Sequence, residues 1–243
     1  MKYMGSKSKI VKEIVPIIQE RIRDNGLKKY YEPFVGGGNV ISKVECENRY
    51  ASDIQKYLIA LYQNLDKIKD MPVRVSKEHY SDVRDCFNRG DDRYAEWYIG
   101  AIGFLASYNG RFFDGGYSGE RVIADGSVRN YYDEAKRNLI AQIPLLKGVE
   151  FFCSDYRDVN DLEDYVIYCD PPYKGTKTYG MSKDFCYGEF WDWCREKSEK
   201  NIVLISEQEA PDDFECIWEQ KSKRTINHAG TKHSVERLFE IRE

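Results

Sequence analysis

The chain has 243 residues, of which 42% are hydrophobic and 32% charged, and its formal net charge is −4. This length accommodates one α/β domain with an insertion, or two small domains. The net charge excludes a domain that is basic over its whole surface, so a nucleic-acid contact has to come from local clusters of lysine and arginine. No apolar run approaches the roughly 18 residues of a membrane span, and the first residues lack the apolar segment of a secretory signal.

The composition gives no support to a metal site or a disulfide framework. The seven cysteines are an odd number with no C-x-x-C pair among them, and there are only three histidines. This pattern argues against structural zinc and against paired cysteines. We therefore predict no metal, no membrane partner and a location in the reducing cytoplasm.

The first 65 residues alternate between helix and strand. A 3.6-residue apolar period predicts a helix over residues 10–22, and apolar runs predict strands over 30–35 and 49–52. The triplet Gly36–Gly38 ends the first strand, and Asn39 is expected to cap a helix that begins at Val40. The second strand leads to Asp53, and a helix is predicted over 55–65.

The pattern changes in residues 66–130, which we predict to be an insert that is mainly helical. Two helices are expected, over 77–87 and 93–106. Residues 108–126 then combine many glycines with aromatic side chains. Glycine at that density prevents a regular helix, so this stretch is predicted to be a hairpin or loop that presents side chains.

Strand and helix alternate again from residue 131. We predict helices over 133–146 and 185–200, strands over 149–153, 165–169 and 202–205, and a final antiparallel pair from 214–218 and 238–241. Residues 1–65 and 131–243 therefore form one α/β domain. Its sheet is expected to be mostly parallel, with a terminal antiparallel pair and helices on both faces.

Glycines and acids follow the ends of several predicted strands, where open α/β sheets bind ligands. Gly36 and Gly38 would let a ligand approach the backbone, and Asp53 follows 17 positions after Gly36. An acid at about that distance can accept both hydroxyls of a ribose. The pattern indicates a nucleoside cofactor, although a tight turn without a ligand fits the glycines equally well.

The segment Asp170-Pro171-Pro172-Tyr173 is more specific. The two prolines stiffen a turn that follows the apolar strand 165–169. The turn would hold a carboxylate, a backbone carbonyl and an aromatic face together. The carboxylate and the Pro171 carbonyl can each accept one hydrogen of an exocyclic amine on a flat heterocycle. Tyr173 can stack on the ring of that heterocycle. Cys169 is expected to turn into the core.

Three motifs in this order resemble those of the Dam-type, alpha-group DNA adenine-N6 methyltransferases. Residues 2–7, KYMGSK, resemble the N-terminal K-[YW]-x-G-x-K motif of that family, and residues 32–38, EPFVGGG, resemble its E-P-F-x-G-x-G loop. Residues 170–173 match its D-P-P-Y motif. The resemblance covers residues 1–65 and about 131–243 and implies a Rossmann-like methyltransferase domain with a target-recognition insert at 66–130.

The resemblance also implies a cofactor, a substrate and a set of site residues. The cofactor would be S-adenosylmethionine, and the substrate an adenine flipped out of a specific site in double-stranded DNA. The catalytic residues would be Asp170, Pro171, Pro172 and Tyr173. The residues expected to bind the cofactor are Tyr3, Lys7, Phe34, Gly36, Gly38, Asp53, Phe152, Asp155 and Asp170.

DNA contacts are expected from Asn109, Arg111, Phe112, Tyr117 and Lys174. Arg111 would read a guanine edge or meet a phosphate. Phe112, Phe113 and Tyr117 would pack the hairpin or wedge into the duplex. The sequence departs here from the N-G-x-x-R pattern of the best-known relatives, because the arginine directly follows the glycine. The GATC target of those relatives is therefore not inferred for this chain. The expected oligomeric state is a monomer or a weak homodimer.

Other activities remain as alternatives. Methylation of cytosine N4 needs the same two acceptors but more often uses serine in place of Asp170, and methyltransferases of RNA or of protein amides usually place asparagine there. A nicotinamide oxidoreductase would use the glycines and Asp53 but leave the Asp170 motif without a role. A DNA-binding module without turnover is the third class. Methylation of cytosine C5 is excluded because the chain has no Pro-Cys pair.

Overall fold

The structure is a computed structural model that describes residues 1–173, 185–226 and 230–242, with backbone only for 222–226 and 230–234. Within these ranges there are six α-helices and nine strands. The helices are α1 Val11–Asp24, α2 Lys56–Tyr62, α3 Lys77–Arg89, α4 Glu96–Leu105, α5 Tyr131–Gln142 and α6 Tyr187–Ser198. The strands are β1 Lys29–Glu32, β2 Asn48–Asp53, β3 Glu120–Val122, β4 Val128–Asn130, β5 Val149–Cys153, β6 Tyr165–Cys169, β7 Ile202–Glu207, β8 Phe214–Ile226 and β9 Gly230–Ile241.

Seven strands form one sheet in the order β5-β2-β1-β6-β7-β9-β8. The first five strands in that order are parallel, whereas β9 runs antiparallel to both β7 and β8. The predicted fold class, a mostly parallel Rossmann-like sheet with a terminal antiparallel pair, is confirmed. The strand order reverses between β1 and β6, because β2 and β5 lie on one side of this pair and β7 on the other. Sheets of this type bind ligands at the carboxyl ends of the strands that flank the reversal.

Alternate residues of the central strands face two separate cores, as the period of two requires. Val166 and Tyr168 of β6 pack into the core that holds α1, α2, α4 and α5. Ile167 and Cys169 pack on the opposite face with α6. Cys169 is fully buried, as expected from its strand position. Both faces of β6 are therefore covered, and its carboxyl end is held rigidly.

Residues 66–130 contain α3, α4 and the two-stranded antiparallel ribbon of β3 and β4. Ser76 caps α3 by accepting a hydrogen bond from the backbone N–H of His79 at 3.1 Å, and Gly90 ends the helix with φ of 67°. α4 packs closely on α2, because a Cβ at Gly100 would lie 2.1 Å from the carbonyl oxygen of Tyr57. The insert therefore packs directly on the helix that follows β2.

One predicted helix is absent from its expected place. Residues from Val40 onward form turns, not an α-helix. The Asn39 side chain does not cap a helix, because its amide nitrogen donates to the Met1 carbonyl at 3.2 Å and to Ser6 Oγ at 2.8 Å. Asn39 instead fastens the start of the chain to the glycine loop.

Candidate active site

The carboxyl ends of four neighbouring strands bring the predicted site residues together. β5 ends before Asp155, β2 ends at Asp53, β1 leads into Gly36–Gly38, and β6 ends before Asp170. These strands are adjacent in the order β5-β2-β1-β6. The glycine loop and Asp170 thus lie on either side of the point where the strand order reverses.

The glycine loop is held from several directions. Gly36 and Gly38 adopt positive φ angles of 45° and 62°, which favour glycine. The Gly36 N–H donates to Asp53 Oδ2 at 3.1 Å, and its carbonyl accepts from the Tyr62 hydroxyl at 2.8 Å. Gln142 Nε2 donates to the Gly38 carbonyl at 2.7 Å. These bonds fix the loop before any ligand arrives.

Asp53 is almost fully buried at the end of β2. Its Oδ1 accepts the N–H of Gln55 at 3.0 Å, while its Oδ2 accepts that of Gly36. Burial raises the pKa of the carboxyl, and these backbone donors act in the opposite direction. A carboxylate has about four acceptor positions, so Asp53 retains capacity for the hydroxyls of a ribose.

The N-terminal motif lies directly over this loop. A Cβ added at Gly36 would lie 3.0 Å from the Tyr3 ring, and one at Gly37 would lie 2.9 Å from the Tyr3 Cβ. The chain then turns through a short 3-10 helix, Lys7–Lys9, and delivers the Lys7 side chain inward. Lys7 is only 7% exposed, so its ammonium is not a solvated surface charge.

Lys7 meets the predicted catalytic turn. Its Nζ lies 3.0 Å from Asp170 Oδ1 and 4.0 Å from the centre of the Tyr173 ring, and it donates to the Tyr173 hydroxyl. A second carboxylate lies beside it, because Glu236 Oε2 of β9 is 3.4 Å from the same nitrogen. The Tyr173 hydroxyl donates to Glu236 Oε2 at 2.7 Å. Four side chains from three parts of the chain thus form one polar cluster.

The charge state of Asp170 depends on this cluster. Burial raises the pKa of the Asp170 carboxyl, the Lys7 ammonium acts in the opposite direction, and Glu236 raises it further. Glu32 lies at the end of β1, where burial raises its pKa to about 8. The Tyr30 hydroxyl donates to it at 2.6 Å. The Lys7 ammonium beside Asp170 favours the ionised carboxylate, which is the form that accepts a hydrogen bond from an amine substrate.

The turn at 170–173 is supported on its other side by aromatic residues. The Tyr187 hydroxyl donates to the Pro172 carbonyl. Phe34 packs beside this support, with its ring centre 5.3 Å from that of Tyr156 and 6.0 Å from that of Phe185. Phe34 thus lies beside the glycine loop with an apolar wall behind it.

The two remaining predicted cofactor residues lie at the outer end of the site. Phe152 stacks on Tyr31 with ring centres 5.8 Å apart. Asp155 Oδ2 pairs with Arg157 Nη2 at 2.9 Å, which lowers the pKa of the Asp155 carboxyl. Phe152 lies opposite Ser52 in the parallel pairing of β5 with β2, and Asp155 follows two residues after the end of β5.

The residues predicted to contact DNA are more dispersed. Asn109 is exposed in a short 3-10 turn, not in the ribbon, and Arg111 Nη2 pairs with Asp114 at 2.7 Å. Phe112 packs between Tyr57 and Phe104, with ring centres 5.6 and 4.9 Å away.

Tyr117 packs on Tyr80, and its hydroxyl donates to the Val75 carbonyl. The structure therefore favours packing over wedging for both Phe112 and Tyr117. Lys174 lies outside the described residues.

The sequence analysis did not single out four side chains that contact the candidate site: Tyr62, Gln142, Tyr187 and Glu236. Each lies far along the chain from the group that it contacts, so no local motif marks it. Glu236 lies two residues before the predicted terminal strand 238–241, so no predicted element placed it. Its side chain nevertheless reaches the site only because β9 is inserted between β7 and β8.

The described ranges contain no helix with the length and apolar character needed to cross a membrane. In the same ranges, no group of three or more histidine, cysteine or acidic side chains is arranged to hold a metal ion.

Comparison with known proteins identifies the class to which this fold and site belong. The sequence profile of the D12 class N6 adenine-specific DNA methyltransferases matches residues 3–204. A type II methyltransferase of Methanocaldococcus jannaschii, M.MjaIII, is 29% identical over 199 residues, which are 72% of this chain and 68% of that protein. A DNA adenine methylase of Vibrio cholerae is 30% identical over 198 residues, 73% of this chain and 66% of that protein.

A third relative, the type II methyltransferase M.FokI of Planomicrobium okeanokoites, is 26% identical over 84% of this chain but only 33% of its own length. The chain thus spans about two thirds of the first two relatives. It belongs to the D12 class N6 adenine-specific DNA methyltransferase family. The resemblance seen in the three motifs is confirmed, and the chain is a methyltransferase whose family acts on adenine in DNA.

Proposed function

We propose that this protein transfers the methyl group of S-adenosylmethionine to N6 of an adenine flipped out of a specific site in double-stranded DNA. The observation that carries the proposal is the position of Asp170. Its carboxylate lies at the strand-order reversal, beside a rigid glycine loop and a half-buried aromatic ring, Tyr173. An acceptor, a cofactor loop and a stacking surface therefore meet at one place.

The residues present fit S-adenosylmethionine. The loop at Gly36–Gly38 offers close backbone approach, and the buried Asp53 carboxylate suits the ribose hydroxyls. We assign Tyr3, Lys7 and Phe34 to the methionine side, and Phe152 with Asp155 to the adenine side. When bound, the cofactor would supply an electrophilic methyl group on a sulfonium.

The chain itself would make N6 nucleophilic. The N6 lone pair of adenine is delocalised into the ring and reacts poorly. Asp170 and the Pro171 carbonyl would each accept one N6 hydrogen, which favours a pyramidal nitrogen with its lone pair directed at the methyl group. Tyr173 would stack on the ring, and the stiff Pro-Pro turn holds this geometry in advance.

We assign target recognition to residues 66–130 and locate a DNA contact on the ribbon of β3 and β4. Arg121 and Arg129 lie directly opposite each other on it and are both exposed. Arg129 also pairs with Glu134 at 2.6 Å, which offsets part of the repulsion between the like charges, and a phosphate beside Arg121 would relieve the rest. A two-stranded ribbon also fits the major groove. A cytoplasmic location and a monomeric or weakly dimeric state remain predictions.

The proposal is tested with purified protein, labelled S-adenosylmethionine and unmethylated duplex DNA, followed by digestion to nucleosides and mass spectrometry. We expect N6-methyladenine in the DNA digest and none in matched RNA or protein samples. N4-methylcytosine in its place would establish the alternative activity. Absence of methylated nucleosides from DNA of all sequences would refute the proposal. Mapping modified bases after expression in a methylation-deficient host would give the recognition sequence.

A further inference from the structure

Lys7 occupies the space that the proposed reaction gives to the target base. Its ammonium lies 3.0 Å from Asp170 Oδ1, where the N6 amine would donate a hydrogen bond. The same nitrogen lies 4.0 Å from the centre of the Tyr173 ring, where the flipped adenine would stack. The lysine and the adenine cannot both hold these positions, so the ammonium has to move when the base enters.

A second carboxylate is available to receive it. Glu236 Oε2 is 3.4 Å from Lys7 Nζ, and its side chain is only 13% exposed. The lysine stem is flexible, and a small rotation of its end would exchange Asp170 for Glu236 as the closer partner. A buried ammonium without a carboxylate would be costly, so this second partner makes the move feasible.

Glu236 also holds the ring on which the base would stack. Its Oε2 accepts the hydrogen bond from the Tyr173 hydroxyl at 2.7 Å. This bond fixes the outer end of the tyrosine, while the Pro-Pro turn fixes its backbone. One carboxylate on β9 thus contacts both the lysine that blocks the site and the ring that completes it.

We propose that Glu236 is a positioning residue for methyl transfer, which takes the Lys7 ammonium from Asp170 when the target amine arrives and orients Tyr173 beneath the base. The proposal rests on the function proposed above. It assigns no chemical step to Glu236, since the methyl group and the N6 proton do not pass through it. Its effect comes from its negative charge at this place.

The charge and the shape of Glu236 can be separated by two substitutions. Glu236→Gln keeps the shape and removes the charge, whereas Glu236→Asp keeps the charge and shortens the side chain. Without the charge, Asp170 would hold the ammonium more firmly against the incoming amine. We expect kcat of Glu236→Gln to fall about 10- to 100-fold, the range for one hydrogen bond to a charged group. Glu236→Asp should stay within about fivefold of wild type.

The matched control is Glu240→Gln. Glu240 is four residues further along β9, faces the same side and forms a part-buried ion pair with Arg21 Nη2 at 2.8 Å, outside the site. Its kcat should remain within about twofold of wild type. DNA and cofactor dissociation constants, measured by fluorescence anisotropy and calorimetry, should stay within about twofold for all three variants, because the move follows binding.

Each outcome is decisive. A kcat of Glu236→Gln near that of wild type would overturn the proposal. So would a greater loss in Glu236→Asp than in Glu236→Gln, or an equal loss in Glu240→Gln, because either result would show that shape or strand packing matters and not the charge. If wild-type protein methylates no DNA adenine, the proposed function fails and this proposal falls with it. If wild type is active and Glu236→Gln is unimpaired, only this proposal fails.

Discussion

Asp170 is the residue on which the proposed chemistry depends most. It is held by Lys7 Nζ at 3.0 Å, and burial raises the pKa of its carboxyl. We predict that Asp170→Ala lowers methyl transfer by at least about 100-fold, because one of two acceptors on N6 is lost at a preorganised site. Single-turnover transfer of labelled methyl groups to DNA measures this effect. An activity within about tenfold of wild type would show that Asp170 is not the acceptor.

Asp53 is expected to act on cofactor affinity and not on the chemical step. Its carboxylate already orients the glycine loop through the Gly36 N–H at 3.1 Å. We predict that Asp53→Ala weakens S-adenosylmethionine binding by about 1.5–3 kcal/mol, the range for hydrogen bonds to charged groups. Calorimetry gives the affinity, with Asp158→Ala, an exposed acid beyond the same sheet edge, as control. Equal affinities for Asp53→Ala and wild type would remove Asp53 from the cofactor site.

Glu32 gives a prediction about pH. Burial raises the pKa of its carboxyl from 4.5 to about 8, so the folded protein favours the protonated acid. The resulting stability is fully present below pH 4.5 and is lost as the pH rises through about 8. Glu32→Gln resembles the protonated acid and keeps an acceptor for the Tyr30 hydroxyl. Between those limits, the unfolding free energy of wild type should therefore fall relative to that of Glu32→Gln.

The slope of that difference should approach about 1.4 kcal/mol per pH unit. Urea unfolding of both proteins at a series of pH values measures it. A difference that stays constant with pH would show that Glu32 titrates normally in the folded protein.

At the scale of elements, the ribbon of β3 and β4 and the turn before it have different roles. Arg111 is tied to Asp114 at 2.7 Å and lies in the turn. Arg121 and Arg129 are exposed and face each other across the ribbon, and Arg129 also pairs with Glu134 at 2.6 Å. We predict that replacing both ribbon arginines by alanine weakens DNA binding and lowers the salt slope by about two, one for each phosphate contact. Arg111→Ala alone should lower the salt slope by no more than about one, because it removes a single arginine that lies off the ribbon.

Binding isotherms at several salt concentrations test this prediction. The control replaces Arg23 and Arg89 by alanine, since both are exposed and neither lies on the ribbon. An equal loss in the control would show that only the total charge matters. If methylome mapping also shows a relaxed base at one position of the site, a ribbon arginine reads that base directly.

For the molecule as a whole, the sequence predicted the parallel part of the sheet well, because the site motifs mark the strand ends. Gly36–Gly38, Asp53 and Asp170 each follow a short apolar strand, and parallel strands present such ends at one edge. The motifs at 2–7 and 170–173 likewise marked two segments that meet in the structure, where Lys7 lies 3.0 Å from Asp170.

Contacts between distant elements could not be predicted in this way. The insertion of β9 between β7 and β8 depends on pairing between strands, and it alone brings Glu236 to Lys7. The sequence left packing and wedging open for Phe112, and the structure packs it against Gly103, where a Cβ would lie 2.5 Å from its ring. The helix expected at Val40 failed for a similar reason, because Asn39 binds Met1 and Ser6.

The cluster at Asp170 also sets an order of events during protein synthesis. Lys7 and Glu236 are 229 positions apart, and β8 has no neighbour in the described sheet until β9 is made. At translation rates of about 5–20 residues per second, the lysine emerges about 10–50 s before its second carboxylate. If Glu236 acts as proposed, a ribosome-bound chain carries the glycine loop for most of that interval and the turn at 170–173 for only about its last 3–13 s. It acquires full activity only when β9 joins the sheet.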